Sequence, residues 1–157
     1  MRDHKHWMWQ ALEMASNNPR SPFGTVIVHA PSQSVLASGC NHTHDSPIWH
    51  GEMDALSNLD REAPFTECVL YTTAEPCPMC QGAILFAGIP QVVYGSSMPF
   101  LQSIGWEQIE LRAAALAALS KQGCRLLGGV LEAECDARFR QARELRSQEE
   151  PGVTHPS

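Results

Sequence analysis

Apolar positions change their spacing several times along the chain, and each change marks a new element. Over residues 6–16, HWMWQALEMAS, the apolar Trp7, Ala11, Met14 and Ala15 recur at helical spacing, and NNPRSP then stops the pattern. This predicts a first helix. FGTVIVHA and SVLASGC are β-branched, apolar runs on either side of the turn-forming PSQS, the pattern of a hairpin. From His50 onward Met53, Leu56 and Leu59 recur at i, i+3 and i+6, so a helix with one buried face begins there. His50 and Glu52 fall in its first turn. CVLYTT reads as a short strand, and MCQGAILFAG as a buried helix ended by Gly88 and Pro90, with Cys77 and Cys80 at its start. QVVYG is the next strand and SSMPFLQSIGW an irregular connection. EQIELRAAALAALSKQG then predicts an Ala-rich helix closed by Gly123, CRLLGG a last strand, and residues 131–146 a charged amphipathic helix.

Strands alternating with helices place the chain in the α/β class, as a three-layer α/β/α sandwich. The opening hairpin makes its five-stranded sheet mixed. No repeat and no linker divides the pattern, so residues 1–146 are read as one domain and 147–157, polar with two prolines, as a flexible tail. A length of 157 residues suits that reading.

Composition narrows the setting. With 43% hydrophobic and 18% charged residues the chain is ordinary globular protein, and no apolar run is long enough to span a membrane. The start, MRDHKHWMWQ, lacks the apolar stretch of a secretory signal, so a cytoplasmic location is expected. The six cysteines (40, 68, 77, 80, 124 and 135) lack the density of a disulfide scaffold. Outside the Cys77–Cys80 pair they are read as small buried apolar residues. The net charge of −6 opposes a large polyanion footprint.

Chemistry concentrates in two stretches, HGEMDAL at 50–56 and EPCPMC at 75–80. Zinc takes nitrogen and thiolate ligands in a tetrahedron, and a catalytic site commonly leaves the fourth position to water. His50, Cys77 and Cys80 supply three such ligands, and a helix start favours the thiolate forms. Glu52 then stands beside the metal as a general acid/base. His-x-Glu followed by Pro-Cys-x-x-Cys is the signature of zinc deaminases acting on nucleobases.

On these motifs, with PFG at 22–24 and GCN at 39–41, the chain resembles the cytidine deaminase-like superfamily, in its guanine deaminase and tRNA adenosine deaminase branch. The resemblance runs from about Pro22 to Gly95, with a weaker echo in GGVLEAEC at 128–135. It implies one zinc per chain, Glu52 as proton shuttle, Gly51 as a small spacer, Asn41 as a donor to substrate, and Phe23 lining the pocket. It implies a homodimer and a small nucleobase or nucleoside substrate. A purine-like base leads, with wobble-adenosine tRNA and cytosine or pterin compounds as alternatives.

Trp49 departs from the small residue usual before the zinc histidine. It narrows the pocket, stacks on substrate, or packs against its own loop. Two other readings stand beside the deaminase: a thioredoxin-like redox pair, which leaves His50 and Glu52 without a task, and a non-catalytic module in which His42 or His44 closes the zinc site. His42, His44 and Asp45 are read as a solvated loop, with no second metal expected.

Overall fold

The computed structural model describes residues 3–149 and 155–156. Helix α1 (His4–Ala15) is capped by Asp3, whose side chain accepts from the His6 amide. Strands β1 (Gly24–His29) and β2 (Ser34–Cys40) form the expected hairpin, and α2 (Gly51–Asn58) follows its second strand. After β3 (Cys68–Ala74) come α3 (Pro78–Ala87) and β4 (Gln91–Ser96). Next are α4 (Met98–Ser103), the two-residue strand β5 (Trp106–Glu107), α5 (Ala113–Ala117) and β6 (Arg125–Leu127). α6 (Glu132–Glu149) precedes β7 (His155–Pro156), which pairs with β5. No helix among the described residues is long and apolar enough to cross a membrane.

The main sheet has the order β2-β1-β3-β4-β6. β1 is antiparallel to both β2 and β3, whereas β4 is parallel to β3 and β6, so the sheet is mixed as expected. Strand alternation sends side chains to two cores. Val26, Val28, Val69, Tyr71 and Val93 meet Trp7, Met8, Ala11 and Leu12 of α1, with Cys135 of α6. Ile27, Leu70 and Val92 face the other way, against Ala55 of α2 and Ile84 of α3. Each fully buried aliphatic side chain contributes about 1.5–3 kcal/mol. A third cluster of Phe23, Leu101, Trp106 and Phe139 seals one end of the sheet.

Three predicted elements differ. The segment from Ser96 to Trp106 is not wholly irregular: the Ser97 hydroxyl accepts from the Phe100 amide and Pro99 sits in the first turn, together starting α4. The Ala-rich helix shortens to Ala113–Ala117, and its later start coincides with the buried Glu75, which binds the residues at that point. Its carboxylate accepts from Arg112 Nε at 2.9 Å, the Ala113 amide at 2.9 Å and the Met98 amide at 3.0 Å. Helix α6 runs through Glu149, past the expected 146, and 155–156 form β7. The rest of the expected tail, 150–154 and 157, lies outside the described residues.

Candidate active site and metal centre

The two chemistry-bearing stretches converge at one edge of the sheet. His50 is the N-cap residue of α2 and Cys77 that of α3, and neither side chain makes the hydrogen bond a cap normally makes. The side chains turn to each other instead. His50 Nδ1 lies 3.5 Å from Cys77 Sγ and 3.7 Å from Cys80 Sγ. A tetrahedral zinc with bonds of about 2.0–2.1 Å to nitrogen and about 2.3 Å to sulfur requires N···S edges of about 3.6 Å. The donor set fits the ion.

Titration behaviour fits as well. The Cys77 thiol is lowered to about 4 by its hydrogen bond with Cys80 and, against the opposing effect of burial, by His50. That same bond, with burial, pushes Cys80 up. The pair therefore holds one thiolate ready and releases a second proton when a cation arrives. Burial lowers the His50 pKa, but Cys77 and Glu52 outweigh it and leave the ring above its ordinary value.

Glu52 is buried in the first turn of α2, next to the ligands and not among them. Burial raises its pKa, while the Thr72 hydroxyl, donating to Oε1 at 2.6 Å, works in the other direction. Thr25 donates to Thr72 at 3.2 Å, giving a short chain of hydroxyls behind the carboxylate. Gly51 fits its expected part, because a Cβ there would stand 2.6 Å from the Phe23 carbonyl oxygen.

A cavity of about 390 Å³ opens onto His50 and Cys77, walled by Pro47, Ile48, Met79, Glu107, Gln108 and Ile109. Its volume lies in the range of small-molecule sites. Asn41 is buried beside the Phe23 backbone, its amide N–H bonded to the Phe23 carbonyl at 3.1 Å. Its Oδ1 accepts from the Thr43 amide and hydroxyl, whereas its Nδ2 has no partner among the described residues.

Two expected substrate residues are placed differently. The Phe23 ring is committed to the aromatic cluster, centred 4.8 Å from Phe139 and 5.4 Å from Trp106. The Trp49 indole turns away from the cavity walls because its Nε1–H donates to Asp54 at 3.0 Å. Of the three options for Trp49, packing against its own loop is the one observed, with its ring beside His42. Thr72, Thr25 and Glu75 were not singled out from sequence. Only the Glu beside Pro76 carried a signal, since a carboxylate before a rigid turn is well placed to anchor it.

Comparison with known proteins agrees with this geometry. Residues 1–96 match the family described as the cytidine and deoxycytidylate deaminase zinc-binding region. A cytosine deaminase of Candida albicans is 38% identical over 106 residues, covering 63% of this chain and 70% of that one. A guanine deaminase of Bacillus subtilis is 32% identical, over 60% of this chain and 65% of its own. A tRNA-specific adenosine deaminase 2 of Xenopus tropicalis is 35% identical, over 58% and 61%. Among solved structures, a guanine deaminase from Nitrosomonas europaea superposes with a TM-score of 0.77 at 23% identity, covering 92% of this chain and 86% of that one, and shares the fold.

Proposed function

The chain belongs to the cytidine and deoxycytidylate deaminase zinc-binding family, as a hydrolytic deaminase, and from that premise we propose that its substrate is a small purine-like base, guanine first, free or as a nucleoside. The observation that carries the reading is the buried Glu52 close to the His50, Cys77 and Cys80 set, two of whose members, His50 and Cys77, line a cavity large enough for one base. Those three residues would hold one zinc ion. When bound, zinc supplies the Lewis acidity that lets water give up a proton near neutral pH.

Glu52 takes that proton as the water oxygen adds to the amine-bearing ring carbon. It passes the proton to the adjacent ring nitrogen, then takes the remaining proton of the added hydroxyl and delivers it to the departing nitrogen as the carbonyl forms. Ammonia leaves and a carbonyl remains, so one water is consumed per amine released. The raised pKa of Glu52 suits both directions of transfer. Asn41 Nδ2 offers its unpaired hydrogen to an acceptor on the ring.

Guanine is favoured over polymeric RNA by charge and by how the arginines are used. The chain has 17 acidic against 11 basic side chains, and Glu107 stands at the cavity wall. Four arginines of α6 are engaged within the fold. Arg138 donates to Leu12 O and Ser16, Arg143 to Ile104 O, and Arg146 to Arg20 O, while Arg140 covers the Phe100 ring. Few cations remain to neutralise phosphates. Guanine also presents neighbouring acceptors, N7 and O6, to a donor such as Asn41.

Self-association and a cytoplasmic setting belong to the same reading. An exposed apolar face carrying Phe86 at 97% and Leu119 at 80% exposure supports the first.

An ammonia-release screen of guanine, adenine, cytosine, their nucleosides, aminopterins and an anticodon stem-loop tests the substrate. Guanine or guanosine is expected to have the highest kcat/KM. A value tenfold higher for cytosine or for the stem-loop overturns the preference and leaves the chemistry standing, and no ammonia from any of them overturns the proposed chemistry.

A further inference from the structure

A second set of metal-ligating side chains, sharing no residue with the deaminase ligands, gathers where the end of β2 meets the first turns of α2. Cys40 ends β2, His42 follows it in the loop, and Asp54 projects from α2. Their ligand atoms lie within 4.8 Å of one another. From sequence, His42 groups with His44 and Asp45 in a solvated loop; the fold keeps those neighbours and adds Cys40 and Asp54 on the other ring nitrogen.

The separations are informative. His42 Nε2 is 3.6 Å from Cys40 Sγ and 3.4 Å from Asp54 Oδ2. The second distance is long for a direct N–H···O bond, which has its optimum near 2.9 Å. Both match the edges of a tetrahedron around a zinc-like ion, about 3.6 Å for N···S and about 3.4 Å for N···O. The deaminase ligands show the same spacing, 3.5 and 3.7 Å.

The donors are also held in place as ligands usually are. Asp54 Oδ1 accepts from Trp49 Nε1 at 3.0 Å and Oδ2 from the Cys40 amide at 3.0 Å, so the carboxylate cannot swing away. Cys40 and Asp54 are buried, whereas His42 is about one-third exposed and gives the ion a path in and a fourth position for water.

We propose that Cys40, His42 and Asp54 form a second site for a divalent cation of the zinc class. It differs from the first in taking nitrogen, one sulfur and one carboxylate oxygen. It shares no ligand with the first site and does not depend on the substrate reading. An ion there ties the end of β2 and the loop leading to His50 onto α2, making it a structural clamp next to the catalytic ligand. Cys40 releases its proton on binding, and the metal–sulfur bond replaces the S–H bond.

The test is stoichiometry on the full chain, stripped with a chelator and titrated with Co²⁺, whose absorption reports thiolate coordination, and separately with Zn²⁺ followed by metal analysis. The wild type is expected to take up two equivalents, His42→Ala one, and the Cys77→Ser/Cys80→Ser double variant one. Adding His42→Ala to that double variant removes the last equivalent. One equivalent in the wild type, or an unchanged two in His42→Ala, overturns the proposal. His42 is partly exposed and outside the cores, so its variant folds even where the double cysteine variant does not, and the comparison with wild type then decides alone. Loss of the Cys77 site with retention of this one, or the reverse, separates the failure of either assignment.

Discussion

Thr72 Oγ1 donates to Glu52 Oε1 at 2.6 Å inside the protein, where no solvent competes for the carboxylate. A bond from a hydroxyl to an ionised oxygen contributes about 1.5–3 kcal/mol and fixes the plane of the carboxyl group. Replacing Thr72 by Val keeps the shape and removes the bond. Because the bond lowers the Glu52 pKa, its loss moves the acidic limb of the kcat/KM profile to higher pH. It also reduces kcat by about tenfold or more at neutral pH. A pH–rate profile of Thr72→Val measures both, and an unmoved limb shows that Glu52 is not the titrating group.

Glu52→Ala leaves the three ligands untouched, so zinc stays while proton transfer stops. One carboxylate serves several transfers, and the loss in kcat reaches at least the upper part of the about 10²–10⁴-fold range for such groups. Metal analysis alongside rates checks the claim: a variant within tenfold of wild type at full zinc content assigns the protons to another group.

In the metal-free protein the same residue makes stability depend on pH. Burial raises the folded-state pKa of Glu52 above its ordinary 4.5. The contribution is therefore fully present below about 4.5 and is lost as pH rises through the folded value. Glu52→Gln has no such loss, so the Tm difference between the chelated variant and chelated wild type grows in the variant's favour as pH rises. Melting curves from acid to neutral pH test the sign.

Gly51 offers a packing experiment at the site itself. A methyl group there meets the Phe23 carbonyl at 2.6 Å and the Thr25 hydroxyl at 3.4 Å, so the start of α2 has to shift. Gly51→Ala is expected to cost about 1–3 kcal/mol, as overpacked positions do. It also lowers kcat by displacing His50 and Glu52 on either side. Denaturant unfolding and kinetics measure the two effects separately.

The meeting of His50 with Cys77 and Cys80 was legible because their placement is local. Histidine and cysteine occupy helix N-caps, and the spacing within each motif fixes which residues face one ion. Strand and helix order was legible for the same reason, since apolar periodicity records which face is buried. What escaped is set by distant partners. Glu75 binds Met98, Arg112 and Ala113, more than twenty positions away, and these contacts hold the chain where α5 starts, at Ala113, later than the alanine-rich pattern predicts. Asp54 captures the Trp49 indole and draws it off the pocket. Cys40 and Asp54 meet His42 only once β2 and α2 have packed together, so no local pattern connects the three.

The hairpin at the start of the sheet has a consequence of scale. β1 lies between β2 and β3, and the helices bearing His50 and Cys77 follow those two outer strands. Neighbouring strands stand about 4.8 Å apart, so the carriers of the two ligands are held about two such spacings from each other by a strand that contributes neither. The metal set thereby acts as a gauge. A slip or exchange of residues 24–29, with His50, Cys77 and Cys80 all intact, opens the gap between carriers, and ion affinity then falls in proportion to how badly the middle strand is seated.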